Sequence, residues 1–275
     1  MERLEKVIRN TNKQAALIPF LTAGDPDFDT SLQLFQTLLQ GPADVVEIGI
    51  PYSDPLADGP VIQAAALRSL RANFQLPHAF DLTSKLREQS DKGLVLFTYI
   101  NPVLQYTPER FFRDAAAAGA DGVIIPDLPY EESNAIREMA DAHGIALVPL
   151  VAPTSGEERV AAIAKSARGF VYCVAALGVT GERARVAENV EALAETARRH
   201  THLPIAVGFG VSNREQAKNI ASFADGVIIG SAFIRRIEGA LNSLGSHPAN
   251  MSEVVQAVGQ FAQDLSSGLQ LGSRV

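Results

Sequence analysis

A closed (β/α)8 barrel of the α/β class, the TIM-barrel architecture, is what this sequence predicts, and two observations predict it. Eight short apolar runs, each flanked by Gly, Pro, Asp or Asn, recur along the 275 residues, and stretches of helical period separate them. Strict alternation of this kind gives parallel strands joined by helices. The runs are also apolar throughout, as strands covered on both faces must be. An open, doubly wound sheet is the competing architecture; eight strands in strict alternation favour closure.

The predicted strands are AALIPF (15–20), DVVEIGI (44–50), GLVLFTY (93–99), GVIIPD (122–127), IALVPL (145–150), GFVYCV (169–174), PIAVGF (204–209) and GVIIGS (226–231). Residues 1–12 form an extra helix, with Leu4, Val7 and Ile8 on one face, that caps the barrel bottom. In 29–40, Leu32, Phe35 and Leu39 recur at helical spacing. The crossings continue with 61–72 and 78–89, 108–118, 130–142, 156–166, 186–200 and 213–221. Glu131, Glu132, Glu157 and Glu158 stand in first turns, where the helix dipole favours acids. Two additional C-terminal helices, 232–242 and 249–266, follow the eighth run, and 268–275 is expected to fray. No Pro-, Gly- or Ser-rich linker divides the chain, so 1–275 reads as a single domain.

Hydrophobic residues make up 47% of the chain and charged residues 20%, enough for a large core and too little charge for extensive disorder. The formal charge of −7 and pI of about 5.3 argue against nucleic acid or an anionic membrane as partner. The lone Cys173 excludes an internal disulfide and any Cys-x-x-Cys metal pattern, which suits a reducing cytoplasm. MERLEKVIRN is not a secretory signal, and no run approaches the roughly 20 apolar residues needed to cross a bilayer.

In a closed barrel the chemistry sits at the C-terminal strand ends. Three glycine signals lie there: GVTG (178–181), GFG (208–210), followed by Ser212 and Asn213 as helix caps, and Gly230-Ser231. Glycine lets backbone N–H groups approach an anion, and a helix N-terminus adds partial positive charge. Together they predict a phosphate site that needs no basic surface. Glu47 lies inside an otherwise apolar strand and by alternation shares a face with Val45 and Gly49. If that face points into the barrel, desolvation raises its pKa and equips it for proton transfer near neutrality; the structural alternative is an interior ion pair. Asp54 and Asp58 follow on a loop stiffened by Pro51, Pro55 and Pro60. As Asp-Pro and Asp-Gly they are ordinary turn formers, but two carboxylates in unlike environments can divide acid, base and charge-stabilising roles. The five histidines are scattered over helices and loops and read as surface residues, and no metal-ligand cluster is apparent.

The string EIGIPYSDPLADGPVIQ (47–63) resembles the signature of tryptophan synthase α chains. PFLTAGDPD (19–27), TYINPV (98–103), GVIIPDLPYEES (122–133), GVTG (178–181), GFGVS (208–212) and GVIIGSAF (226–233) agree in order and spacing over essentially the whole chain. The resemblance implies a lyase that converts indole-3-glycerol phosphate to indole and glyceraldehyde 3-phosphate and passes indole to a β subunit in an αββα heterotetramer. It implies no cofactor or metal in this chain, pyridoxal phosphate being expected only in the β partner. On matching positions it makes Glu47 and Asp58 the catalytic carboxylates and Tyr172 the active-site tyrosine. It places Gly181, Gly208, Phe209, Gly210, Gly230 and Ser231 on the phosphate site, Phe20 and Tyr99 on the indole pocket, and Thr180 on the mobile loop after the sixth run. Pro51, Asp54 and the loop after Tyr99 fall on the β-contacting surface. Where many members carry a hydroxyl residue before GVTG, this chain has Ala175, Ala176 and Leu177, which removes polar contacts from the closing loop. The same residues would also serve a stand-alone lyase that releases free indole, or a weakly active barrel that mainly activates a β subunit.

Overall fold

The computed structural model describes residues 2–174, 183–208, 210–244 and 251–270. Its strands are β1 (Ala16–Thr22), β2 (Val45–Gly49), β3 (Gly93–Phe97), β4 (Gly122–Ile124), β5 (Ala146–Leu147), β6 (Leu150–Val151), β7 (Val171–Val174), β8 (Ile205–Gly208) and β9 (Gly226–Ile229). They pair in parallel in the order β5-β4-β3-β2-β1-β9-β8-β7-β6. The two ends of that order are halves of one apolar run, separated by Val148 and Pro149 alone. Val148 N–H donates to the carbonyl of Val123 in β4 (2.9 Å), and Tyr172 N–H of β7 donates to the carbonyl of Pro149 (3.0 Å). The ring therefore closes through this pair. The fifth predicted strand is split because Pro149 has no N–H to give a ladder.

Period-two alternation sorts the strand side chains into two cores. Ala16, Ile18, Val45, Val95, Ile124, Ala146, Val148, Phe170, Ala206 and Ile228 fill the barrel interior, while Leu17, Val46, Ile48, Leu94, Leu96, Val123, Cys173, Val207 and Val227 face the surrounding helices. These are α1 (Glu2–Arg9), α2 (Phe28–Gln40), α3 (Pro60–Arg71), α4 (Leu76–Arg87), α5 (Ile100–Tyr106), α6 (Pro108–Ala117), α7 (Asn134–Ala142), α8 (Glu157–Ser166), α9 (Arg183–Arg198), α10 (Arg214–Ala221), α11 (Ser231–Leu244) and α12 (Met251–Gly268). The predicted helix over 130–142 is divided, a 3-10 turn at Tyr130–Glu132 preceding α7. Helix α5 was not foreseen. Asn101-Pro102 reads as a turn, yet Pro102 falls in the first helical turn, where its missing N–H costs nothing.

The bottom of the barrel is plugged by α1. Leu4 and Ile8 join the interior core, and a Cβ at Gly93, Gly122 or Gly169 would stand 2.9–3.1 Å from the Leu4 methyl groups. Glycine at three strand starts thus opens the space that one leucine fills. An Ala-Asp pair precedes β2, β4 and β9, and each aspartate does the same work. Asp44 accepts from Leu17 N–H (2.7 Å), Asp121 from Leu94 N–H (2.9 Å) and Asp225 from Ile205 N–H (2.8 Å), each on the preceding strand of the ring. Each also holds a cation: Lys13 at 2.8 Å, Arg87 at 2.6 Å with Arg3 at 2.7 Å, and Arg198 at 2.9 Å.

The expected fraying from 268 is corrected over 268–270. Gln14 N–H donates to the Leu269 carbonyl (2.7 Å), Lys13 and Gln270 form an antiparallel bridge, and Leu269 is buried. Apolar burial and backbone pairing to the start of β1 tie this segment down; 271–275 lies outside the described residues.

Asp121→Ala strands a half-buried Arg87 and the Leu94 N–H together. It is expected to lower unfolding free energy by roughly 3 kcal/mol, with Asp121→Asn losing less; a denaturant titration at unchanged slope measures both.

Candidate active site

Strand β2 delivers Glu47 into the barrel. The register sets Phe20, Glu47 and Val95 side by side on three adjacent strands, so Glu47 points inward with Val45. It is 1% exposed, its Oε1 has no hydrogen-bond partner, and it forms no ion pair among the described residues. Burial alone pushes its pKa up to about 8. A buried carboxyl group left unpaired costs several kcal/mol if ionised, so it holds its proton at neutral pH.

Aromatic side chains build the walls around it. Phe20 meets Phe97 edge-on at 5.4 Å and lies over Gly49, where a Cβ would stand 2.5 Å from the ring. Tyr172 fills the space over Gly208, whose Cβ would stand 2.6 Å from its hydroxyl. Burial, and after it the charges of Glu47 and Asp58, raise the Tyr172 phenol well above its ordinary value. Tyr172 stays neutral, within electrostatic reach of the Glu47 and Asp58 carboxyl groups.

Asp58 sits above, on the loop 50–59. Burial raises its pKa to about 6, against the lowering effect of a hydrogen bond from the Tyr99 hydroxyl. That hydroxyl also accepts from Ala57 N–H at 3.2 Å. Asp58 N–H donates to the Pro55 carbonyl (3.0 Å), and Gln63 Nε2 donates to the Asp58 carbonyl (2.8 Å). Gly59 then caps α3, with Pro60 opening it. Tyr52, from the same loop, packs its ring 5.5 Å from that of Tyr99 and accepts from Asn101 Nδ2 at 2.9 Å.

Two of the three glycine signals, those after β8 and β9, lie at the same end. Gly208 ends β8, and Gly210 has φ +52, a left-handed conformation that glycine adopts without strain. Asn213 caps α10, accepting from Gln216 N–H, whereas Ser212, expected as a second cap, bonds to the Gln216 side chain. The Gly230 carbonyl accepts from Phe233 (2.9 Å) and Ile234 (3.2 Å), so Ser231 opens α11 at the mouth. Gly181, Phe209, Thr180 and Ala175–Leu177 lie outside the described residues. Pro51 is half-buried and Asp54 exposed; Leu56 on the same loop and Leu104 on α5 are 85% and 54% exposed. Tyr52, Phe97, Asn101 and Gln63 were missed from sequence. Period-two alternation from Val95 signals Phe97; Tyr52 on the loop, and Asn101 and Gln63 bonded to it, stand at spacings that carry no pattern.

Cys173 faces the helix layer, its thiol pushed up to about 12 by burial. Among the histidines, His78 and His202 are exposed, but His143 and His200 are half-buried, because helix ends packed on a barrel cover part of their surface; His247 lies outside the described residues. No group of three or more His, Cys, Asp or Glu able to hold a metal occurs among the described residues, and no described helix is long and apolar enough to cross a membrane. A cavity of about 390 Å³ opens beside the mouth between the barrel wall and α7 and α8, with Arg137 and Arg159 in its lining. Neither Glu47 nor Asp58 lines it.

A closed parallel barrel with unlike carboxylates at its C-terminal mouth is a (β/α)8-barrel enzyme. The sequence model of the family described as Tryptophan synthase alpha chain matches residues 7–265. A tryptophan synthase alpha chain of Synechococcus elongatus is 51% identical over 226 residues, covering 82% of this chain and 85% of the relative. One from Thermoanaerobacter is 42% identical over 272 residues, covering 98% and 100%. Among solved structures, tryptophan synthase of Mycobacterium tuberculosis matches at TM-score 0.85 and 36% identity over 98% of this chain and 99% of that one. The Legionella pneumophila subunit alpha matches at 0.86 and 32%, covering 98% of each. The chain belongs to the tryptophan synthase alpha chain family, lyases of tryptophan biosynthesis whose reaction is the retro-aldol cleavage of indole-3-glycerol phosphate.

The folded-state pKa of Glu47 lies above its unfolded value, so its contribution to stability is full below about pH 4.5 and is lost as pH rises through about 8. Glu47→Gln escapes that loss. Its stability advantage over the parent chain is expected to widen by on the order of 3 kcal/mol between pH 5.5 and pH 9, read by denaturant unfolding at the two pH values.

Proposed function

We propose that Glu47 and Asp58 carry the cleavage, with Tyr172 as a neutral wall group beside them, and the observation that carries this reading is the unpartnered, desolvated Glu47 carboxyl group at the mouth. Held protonated, Glu47 gives its proton to C3 of the indole ring, which leaves positive charge on the ring nitrogen. Asp58, ionised above about pH 6, accepts a hydrogen bond from that N–H and stabilises the charge as it develops. The bond from C3 to the glycerol carbon then breaks, its electron pair returning to the ring. The newly ionised Glu47 takes the hydroxyl proton from the departing carbon, which becomes the aldehyde. One proton is given and one recovered, so Glu47 ends as it began.

Phe20 and Tyr99 line the indole pocket in this reading. Gly208, Gly210, Gly230 and Ser231, with Gly181 and Phe209, bind the phosphate through backbone N–H groups at the start of α11, and Thr180 belongs to the closing loop. The partner is a β subunit in an αββα heterotetramer that holds the pyridoxal phosphate and receives the indole, in the cytoplasm. Supporting that surface, Leu56 on the loop with Pro51 and Asp54, and Leu104 on the helix after Tyr99, stand exposed. The chain folds as one domain.

Two ionisations in these roles give a bell-shaped kcat/KM profile for indole release, rising through about pH 6 as Asp58 ionises and falling above about pH 8 as Glu47 loses its proton. A rate that climbs steadily to pH 9.5 would remove Glu47 as the proton donor. Glu47→Gln is expected to lower kcat by about 10² or more with KM within a few-fold. On the partner side, Asp54→Ala is expected to reduce the increase in indole release that an added β subunit produces. An unchanged increase would take Asp54 off the contact surface, and turnover already fast without a β subunit would favour a stand-alone lyase.

A further inference from the structure

The loop that carries Asp58 has little apolar anchorage: Ser53, Asp54, Leu56 and Ala57 are all exposed. Two hydrogen bonds cross in opposite directions between it and the segment after β3. Tyr52, on the loop, accepts from Asn101 Nδ2 on α5 (2.9 Å). Tyr99, on the segment after β3, accepts from Ala57 N–H on the loop (3.2 Å). Each side lends a phenol oxygen and each supplies a donor, and the two rings pack together at 5.5 Å. A phenol that accepts still has its own proton to give, and the Asp58 carboxylate, whose pKa the Tyr99 hydroxyl lowers, lies within its reach.

We propose that Tyr52 and Tyr99 are a pair of positioning residues, a two-tyrosine clasp that fixes the loop 50–59 against the segment 98–101 and so holds the Asp58 carboxylate where the indole N–H arrives. This rests on the assignment of Asp58 as the group that meets that N–H. Tyr99 reaches Asp58 directly; Tyr52 acts through Tyr99 and through the loop. Because Asn101 opens α5, the clasp also ties the placement of Asp58 to the placement of that helix.

The test is a cycle of Tyr52→Phe, Tyr99→Phe and the double variant, with Asp58→Asn alongside, each assayed for indole release from pH 5 to 9. Phenylalanine keeps the rings and removes only the hydroxyls, and thermal unfolding shows whether each variant is folded. Tyr99→Phe is expected to lower kcat about tenfold and Tyr52→Phe about fivefold, with KM within twofold. The acidic limb of kcat/KM should move to higher pH in both, further in Tyr99→Phe, because the carboxylate loses a donor to its charged form. The double variant should fall no more than about twofold below Tyr99→Phe, since the two hydroxyls act as one unit. Multiplying effects, or a Tyr52→Phe variant with parental kcat and an unmoved acidic limb, overturn the clasp while leaving Asp58 in place. Full turnover by Asp58→Asn overturns instead the reading on which the clasp rests.

Discussion

Closure of the parallel ring is the constraint on which everything else depends. An open sheet leaves one face of its edge strands to water, whereas a closed one has an interior with no edges. Here closure runs through Val148 and Pro149, which bond outward to β4 and β7 from the two halves of one strand. The interior they seal is lined by Ile18, Val45, Val95, Ile124 and Phe170 and plugged from below by Leu4 and Ile8. Only in such a space does a single carboxyl group shift to a pKa of about 8 with no charged neighbour forcing it. The reactivity of Glu47 is thus a property of the whole ring.

The two ends of the barrel treat charge in opposite ways. At the bottom, Asp44, Asp121 and Asp225 each accept a strand N–H and hold a cation, an arrangement in which a buried carboxylate is satisfied. At the mouth, Glu47 has no cation among the described residues and Asp58 has a phenol. Paired acids stabilise; unpaired ones store free energy that substrate can use. The helices keep this division because α1 packs on the bottom while the loops after β2 and β3 and the start of α11 rise at the mouth.

Much of this was legible in the sequence. Hydrophobic period and turn residues give the ring, because strands covered on both faces must be apolar throughout. The parity of Val45, Glu47 and Gly49 gives the inward direction of Glu47, and the 47–63 string gives the family. The illegible parts depend on tertiary contacts without local pattern. Pro149 divides a run that reads as one strand, and Pro102 hides α5 by looking like a turn. Residues 268–270 read as a loose tail because their anchors, Lys13 and Gln14, lie at the other end of the chain. The pairing of Asp58 with Tyr99 was invisible for the same reason: Tyr99 is 41 positions away, on the segment after β3, and meets the loop only once β2 and β3 pair.

The recurring Ala-Asp step before β2, β4 and β9 has a consequence for how such a molecule can change over time. It is one device used three times, with the same bond to the preceding strand on each occasion, as expected of a ring assembled from copies of a smaller strand pair. A foundation that repeats, and that lies wholly at the end opposite the chemistry, can be inherited unaltered while the rim is rewritten. Loops such as 50–59 are therefore free to lengthen, shorten or exchange contacts, and a new specificity can arise on this scaffold without renegotiating what keeps it folded.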